Sequence, residues 1–195
     1  PAWFLGRNPE KYIITATYGQ DLSDDFGRKV RDQMEDGLFK ATFPDARIRK
    51  DSRAAARFET ETGGTYFSVG VGGPITGRGA HLLLIDDPVK NREEADSSSQ
   101  LQKIIDWYNA VAYPRLMPDA AIVVIMTRWA GNDLVGHLIE KNAHEGWTKI
   151  DLPAFDETTG KALREDRYSI QDLKRIRETI GEYDWQCHYQ QNPIP

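Results

Sequence analysis

The sequence lacks the features that mark membrane, disulfide-stabilised and zinc-binding proteins. Its 195 residues include one cysteine, Cys187, which cannot form an internal disulfide. Its four histidines follow no His-Glu-x-x-His spacing, and there is no paired Cys-x-x-Cys, so a structural zinc site is not expected. No run of about 18 apolar residues occurs, and no basic start leads into an apolar stretch, which excludes a membrane span and a signal peptide in these residues. We therefore expect a water-soluble, cytosolic protein.

The sequence also lacks the excess of positive charge that is typical of nucleic-acid-binding proteins. It has 25 Lys and Arg against 30 Asp and Glu, a net charge of −5, so any contact with a polyanion must be local. One basic stretch covers residues 47–57 and contains Arg47, Arg49, Lys50, Arg53 and Arg57. Asp51 interrupts this stretch and no aromatic stacking partner lies within it, which favours a solvated face over a binding site.

Alternating hydrophobic runs and turn signals predict an α/β domain. Buried strands are predicted at residues 11–18, 81–85, 120–126 and 147–152, and a β-hairpin turns at Gly63-Gly64. Helices are predicted after a Ser23 cap, after Asp96 or Ser97, after Asn132 or Asp133, and over residues 169–180. Strands that alternate with helices indicate a three-layer fold with a mostly parallel sheet and helices on both faces. Ligands bind such sheets at the carboxyl ends of their strands.

The strongest candidate site follows the buried strand His81-Leu82-Leu83-Leu84-Ile85. Asp86 and Asp87 end this strand, so one carboxylate can approach a hydrated Mg²⁺ ion while the other orients an attacking water, as ATP hydrolysis requires. The alternative is that the two acids only cap the Asp-Pro turn that follows. Glu93, Glu94 and Asp96 could instead join them in a two-metal nuclease site, although the local sequence is typical of a solvated helix start.

Two further candidates lie beside neighbouring strands. Thr127 and Arg128 follow the strand at 120–126, where a hydroxyl could sense a γ-phosphate; an ordinary strand end is the alternative. Residues 70–79 carry five glycines but precede a strand and lack lysine, so they are not a Walker A loop, and no Gly-x-x-x-x-Gly-Lys-Ser/Thr occurs elsewhere. Such a loop could present Arg78 to the nucleotide of a neighbouring subunit, as an arginine finger, or simply carry it on the surface.

These motifs closely resemble the ATPase domain of tailed-phage terminase large subunits. The resemblance lies in ITGRGAHLLLIDDPVKNREEADS and AIVVIMTRW, and extends to WFLGRNPEKYIITATYGQDLSDDFGRKVR at the start and YDWQCHYQQNPIP at the end. It implies a P-loop NTPase fold of the additional-strand type. It implies that Asp86 binds Mg²⁺ and that Asp87 is the catalytic carboxylate. It implies that Thr127 links hydrolysis to movement, with Arg128 as a weaker candidate for a nucleotide contact. Arg78 matches an arginine that is a candidate trans-acting finger in the assembled ring. Many members have Asp-Glu where this chain has Asp86-Asp87, which leaves Glu93 or Glu94 as alternative bases.

The same resemblance implies how the chain fits into a larger assembly. A Walker A loop is expected before residue 1 and a nuclease domain after the closing Asn-Pro-Ile-Pro, so residues 1–182 would be a partial ATPase domain and 183–195 a tail leading into a linker. The missing P-loop strand would leave a gap beside the strand at 120–126. ATP, Mg²⁺, double-stranded DNA, the terminase small subunit, the portal protein and a homo-oligomeric ring are the implied cofactors and partners. We expect the isolated chain to be inactive; a non-catalytic interaction module is the alternative.

Overall fold

The computed structural model describes residues 1–75 and 77–193, so Ile194 and Pro195 of the predicted linker lie outside the described residues. The chain divides into two compact units. The first combines Pro1–Lys90 with Gln102–Met126, and the second combines Asn91–Leu101 with the described residues from Thr127 onward. The predicted boundary at residue 182 is not tested by this division, and residues 183–193 lie in the second unit.

A mostly parallel sheet of six strands forms the centre of the first unit. The strands are β1 (Tyr12–Thr17), β2 (Ile48–Arg53), β3 (Arg57–Thr60), β4 (Thr65–Gly70), β5 (Ala80–Asp86) and β6 (Leu116–Ile125). Their order is β2-β3-β4-β1-β5-β6. The pairs β4–β1, β1–β5 and β5–β6 are parallel, whereas β3 is antiparallel to both β2 and β4. The predicted parallel sheet is therefore confirmed, as is the hairpin at Gly63-Gly64, where Gly63 has φ 93°.

Three helices, α1 (Ala2–Arg7), α2 (Gln20–Glu35) and α3 (Gly37–Thr42), contribute to the main apolar core of this unit. Ile13, Phe58, Tyr66 and Leu82 from the strands pack with Val30 and Met34 of α2, which lie four residues apart and so on one helical face. The prediction that Ser23 caps this helix is wrong. Gly19 is the N-cap, and Ser23 is fully buried inside the helix, where its hydroxyl hydrogen-bonds to that of Thr17 at 2.8 Å.

The opposite face of the central strands is also buried, as Ile14, Leu83 and Ile85 show. Burial on both faces explains why β1 and β5 are nearly continuous hydrophobic runs. The strand predicted at 120–126 exists as β6, but its predicted burial is wrong: Val123 is 41% and Ile125 55% exposed. Among the described strands β6 pairs with β5 only, so it lies at the sheet edge, where the family resemblance implies a gap.

The second unit contains short helices and one small hairpin. Its elements are α4 (Arg92–Ala95), α6 (Leu134–Lys141), α7 (Ile170–Ile180), α8 (Glu182–Asp184), a π-helical turn (Trp185–Tyr189), β7 (Phe155–Asp156) and β8 (Lys161–Ala162). Helix α5 (Ser98–Trp107) begins in this unit and ends in the first. The helices predicted after Asp133 and over residues 169–180 are confirmed, with Asp133 capping α6 and Ser169 forming a capping box.

The strand predicted over residues 147–152 is wrong. This segment has no ladder partner, and Ile150 and Leu152 are 75% and 56% exposed. The backbone of Leu152 instead bonds to a side chain: the amide of Gln191 accepts from the N–H of Leu152 and donates to its carbonyl. A β-branched, aromatic sequence therefore does not become a strand without a neighbouring strand to supply hydrogen bonds. None of the helices in the described residues is long and apolar enough to cross a membrane.

Candidate functional site

The carboxyl edge of the parallel sheet brings the two predicted acids next to the ends of β1 and β6. Asp86 is the last residue of β5, and in the strand register it lies beside Thr17 of β1 and Ile125 of β6. Residues in register on parallel strands project to the same face, so Asp86 lies on the side of the sheet that α2 covers. Because both acids directly follow a central buried strand, their backbone positions are fixed by the core.

The carboxylate of Asp86 is in an unfavourable electrostatic position. It is partly buried, and this burial raises its pKa, an effect to which the negative charge of neighbouring Asp87 adds. Both effects disfavour the ionised form, and a bound cation would relieve both. Mg²⁺ in nucleotide sites is typically held by one or two carboxylates together with phosphate oxygens and waters, so a pair of carboxylates fits this ion.

Asp87 has a left-handed backbone conformation, with φ 43°. Two hydrogen bonds hold it there: its N–H donates to the carbonyl of Ile125 at 2.8 Å, and its carbonyl accepts from the N–H of Tyr18 at 3.1 Å. Asp is among the few residues other than glycine that tolerate this region, and such conformations persist where surrounding contacts enforce them. The chain thus leaves the strand direction at Asp87, so this carboxylate does not simply continue the strand alternation from Asp86.

The edge contains three residues that the sequence analysis did not select. The hydroxyl of Thr17 is fully buried and donates to the carbonyl of Gly19 at 2.8 Å, while the side-chain oxygen of Gln20 accepts from the N–H of Gly70 at 3.2 Å. Gly70 approaches the start of α2 closely, since a Cβ there would lie 3.1 Å from the backbone nitrogen of Gln20. The signal that could have found them is the strand–Gly–helix sequence TATYGQ, which places a helix start at the same edge as Asp86.

Arg78 lies in the loop that leads into β5. Its guanidinium carbon is 4.2 Å from the centre of the Phe67 ring on β4, which is a close cation–π contact. Burial and the positive charge of Arg57 both lower the pKa of Arg78, while Glu59 opposes them. The structure therefore brings Arg78 together with Arg57 and Phe67 within the first unit.

Thr127 and Arg128 belong to the second unit. The Nε of Arg128 donates to Asp133 at 2.8 and 3.1 Å, and only 10% of the Arg128 side chain and none of the Asp133 side chain is exposed. Asp133 also accepts from the N–H of Trp129 at 3.2 Å and from that of Gly136 at 3.0 Å. This buried ion pair ties the segment after β6 to the start of α6. The sequence identified Asp133 as a helix cap, but not as the partner of Arg128.

The alternative two-metal site finds no support in the geometry. In residues 1–75 and 77–193, no group of three or more His, Cys, Asp or Glu side chains is placed to hold a metal ion. Asn91 caps α4, accepting from the N–H of Glu94 at 3.0 Å, so Glu93 and Glu94 occupy the first turn of a short helix. Acidic residues in that position stabilise the positive end of a helix, which accounts for them without a metal.

The comparison with known families decides the identity of the chain. The family described as terminase large subunit, T4likevirus-type, N-terminal, matches residues 1–189. The chain belongs to the terminase large subunit family.

A solved structure supports the fold of this terminase chain. The crystal structure of the HK97 bacteriophage large terminase is similar with a TM-score of 0.57 and 12% sequence identity, over 93% of this chain and 40% of that chain. The terminase chain thus spans about two-fifths of the length of that solved relative. No curated protein matches it by sequence. The similarity establishes a shared fold, while the family match establishes the terminase relationship.

Proposed function

We propose that this terminase chain is the core of an ATPase motor that drives double-stranded DNA into a procapsid. The observation that carries the proposal is the carboxylate pair at the end of β5, with Asp86 partly buried and Asp87 fixed by hydrogen bonds from both neighbouring segments. A mostly parallel sheet with acids at the carboxyl end of a central strand is the arrangement from which P-loop NTPases hydrolyse nucleotides. We accordingly propose that the fold is of the additional-strand P-loop type.

In this proposal the two carboxylates have different roles. Asp86 would hold Mg²⁺, and the bound ion would supply positive charge to the phosphate groups of ATP. Asp87 accepts a hydrogen bond from the attacking water and orients it, and its left-handed backbone fixes the position of the Cβ from which that carboxylate extends. An aspartate is one methylene shorter than the glutamate that many members carry, and the turn of the backbone at position 87 supports its use as the base.

The remaining site residues act around this pair. We propose that Thr127 links the nucleotide state to movement of the segment after β6. The guanidinium of Arg128 is already paired with Asp133, which supports a role in holding that segment rather than in contacting nucleotide directly. Arg78 is proposed to reach the nucleotide of a neighbouring subunit, and its loop position with a partly solvated side chain is compatible with this role.

Membership of the terminase large subunit family supports a proposal for the partners of the complete protein. We propose that the complete protein binds double-stranded DNA, the terminase small subunit and the portal protein. We also propose that it forms a homo-oligomeric ring and works in the host cytoplasm during phage assembly. We also propose that the chain of 195 residues alone does not hydrolyse ATP, because it has no Walker A lysine to bind the β- and γ-phosphates.

Titration of Mg²⁺ into the chain tests the metal role of Asp86. We expect the melting temperature to rise with Mg²⁺, because a cation stabilises the folded form in which Asp86 is held beside Asp87. Asp86→Asn should abolish this rise. Asp32→Asn, on the exposed side of α2, is the matched control and should retain it. An equal response of the wild type and Asp86→Asn would exclude Asp86 as the metal ligand.

Hydrolysis by the complete terminase tests the role of Asp87. Asp87→Asn should abolish ATP turnover while nucleotide binding stays within about twofold, because the amide preserves the backbone conformation but cannot accept a proton. Retained turnover would remove Asp87 from the catalytic role and make Glu93→Gln and Glu94→Gln the next variants to measure.

A further inference from the structure

A second concave site lies on the sheet face opposite α2. It is a cavity of about 370 Å³, and its main wall residues are Tyr12, Ile14, Arg57, Glu59, Phe67 and Arg78. In the strand registers Phe67 lies directly beside Ile14 of β1 and beside Arg57 of β3, so these three side chains form one row across the sheet. The volume is within the range of small-molecule sites, which run from roughly 300 to 1,000 Å³.

The cavity has more positive than negative charge. Arg57 pairs with Glu59 at 2.6 Å, and Arg49 of β2 shares the same carboxylate at 3.0 Å. No carboxylate in the described part of the chain forms an ion pair with Arg78. Arg57 and Arg78 both line the cavity next to Phe67: Arg57 is the cross-strand neighbour of Phe67, and Arg78 lies over its ring. Burial and, to a smaller extent, the charge of Arg57 lower the pKa of Arg78. An anion between the two guanidinium groups would be attracted to both.

The ring of Phe67 gives this charged wall a defined shape. Arg78 lies over the ring at 4.2 Å, and Arg57 is its cross-strand neighbour. An arginine side chain that packs on an aromatic ring has fewer available rotamers, so its guanidinium group loses less conformational entropy when it binds a ligand. The sequence favours a solvated face for the basic stretch at 47–57, because Asp51 interrupts it and no aromatic stacking partner lies within it. The sheet supplies such a partner from β4.

We propose that this cavity binds a phosphate group, with Arg57 and Arg78 as its two cationic contacts and Phe67 as the residue that positions Arg78. Phosphate fits because its several oxygens can accept from two planar guanidinium groups at once. Tyr12 and Ile14 also line the cavity, so a sugar or base attached to that phosphate would meet apolar and aromatic side chains there. The site lies on the other face of the sheet from Asp86, and the proposal does not depend on ATP hydrolysis. Arg78 contacts this cavity while it packs on Phe67 of its own chain, and it would have to leave that ring to take the role across a subunit interface proposed above.

Binding of two probes to the chain tests this site, both without metal in the presence of EDTA. The first probe is ADP, followed by calorimetry, and the second is a fluorescein-labelled duplex of 15 base pairs, followed by anisotropy. Arg57→Gln and Arg78→Gln should each weaken binding by about tenfold or more, as expected for the loss of a charge-assisted hydrogen bond. Phe67→Leu should weaken it by about two- to fivefold, because it removes the cation–π contact but keeps an apolar side chain.

Two controls separate binding from folding. Arg53→Gln removes an arginine of β2 that pairs with Glu35 of α2 at 3.0 Å, outside the cavity, and should change affinity by less than about twofold. Glu59→Gln removes the negative charge from the cavity and should strengthen binding several-fold. A variant that misfolds cannot produce such a gain in affinity.

The two probes distinguish a nucleotide phosphate from the phosphate backbone of DNA. If DNA is the ligand, each arginine substitution should also reduce the slope of log affinity against log salt concentration by about one. If a nucleotide is the ligand, ADP binding should show the losses and the duplex should not. The proposal is overturned if neither probe binds the folded chain, or if Arg57→Gln and Arg53→Gln have equal effects.

Discussion

The buried ion pair between Arg128 and Asp133 should be the most sensitive point of the second unit. Asp133→Asn keeps one oxygen to accept from the N–H of Gly136, so the α6 cap survives. It removes the negative charge that pairs with Arg128, whose side chain is 10% exposed. Arginine cannot lose its proton in a protein, so the substitution leaves a buried charge uncompensated. Removing one member of such a pair costs about 3–5 kcal/mol.

This cost should be visible in denaturation of the chain. For a protein of this size, 1 kcal/mol corresponds to about 2–4 °C in melting temperature, so Asp133→Asn should lower the melting temperature by roughly 6–20 °C. Urea denaturation with an unchanged slope would show that the free energy of unfolding itself has fallen. Asp151→Asn is the matched control, because Asp151 pairs with Lys149 at the surface and should cost under about 1 kcal/mol.

A second substitution makes the reasoning refutable. Arg128→Met in the Asp133→Asn background removes the uncompensated charge and fills the same space, so it should recover a large part of the lost stability. An Asp133→Asn variant that loses less than about 1 kcal/mol would refute the electrostatic argument. A double variant that is less stable than the single one would refute it as well.

Three further predictions concern the first unit. Asp87→Asn should leave the free energy of unfolding nearly unchanged, whereas Asp87→Val should lower it by about 1–3 kcal/mol in urea denaturation, because a β-branched side chain is strained at φ 43°. Since the pKa of Asp86 is raised in the folded chain, its ionisation destabilises the fold. Without metal, Asp86→Asn should therefore raise the melting temperature at pH 7; this gain should shrink as the pH falls toward about 4, the pKa of an aspartate in the unfolded chain, and be absent below it. Gly27→Ala should lower the melting temperature strongly, because its Cβ would lie 1.8 Å from the carbonyl oxygen of Ala55. Gly37→Ala is the control and should not lower it, because no atom lies within 4 Å of a Cβ at that position. Equal melting temperatures for the two variants would contradict the close packing of α2 at Gly27.

The sequence predicts the centre of this fold better than its edges. The strands β1 and β5 are buried on both faces, so nearly all of their residues are hydrophobic. The hydrophobic runs therefore predict the position and the burial of both strands correctly. The runs at 120–126 and 147–152 look the same, but one forms an edge strand and the other forms no strand at all. Which strand obtains a partner depends on contacts between distant segments, and a local pattern does not contain that information.

The same distinction applies to the candidate site. Asp86 and Asp87 could be found because they follow a buried strand directly in the sequence. The pairing of Arg57 with Phe67 could not, because the two residues meet only through the register of β3 and β4. The partner of Arg128 was within five residues, yet the sequence suggested only a helix cap. An aspartate can accept hydrogen bonds from a helix end and from a guanidinium at once, and only the burial of both groups reveals the second role.

The left-handed backbone at Asp87 has a consequence for the genetics of the motor. The residues that fit this conformation with least strain are glycine, asparagine and aspartate, and a single transition in an aspartate codon yields either of the other two. Given the proposed role of Asp87, the commonest kind of point mutation at this codon would produce a subunit that folds normally but cannot hydrolyse ATP. If the complete protein forms the proposed ring, such a subunit would still enter it beside wild-type copies and block it, so mutations here should behave as dominant inhibitors in mixed infections.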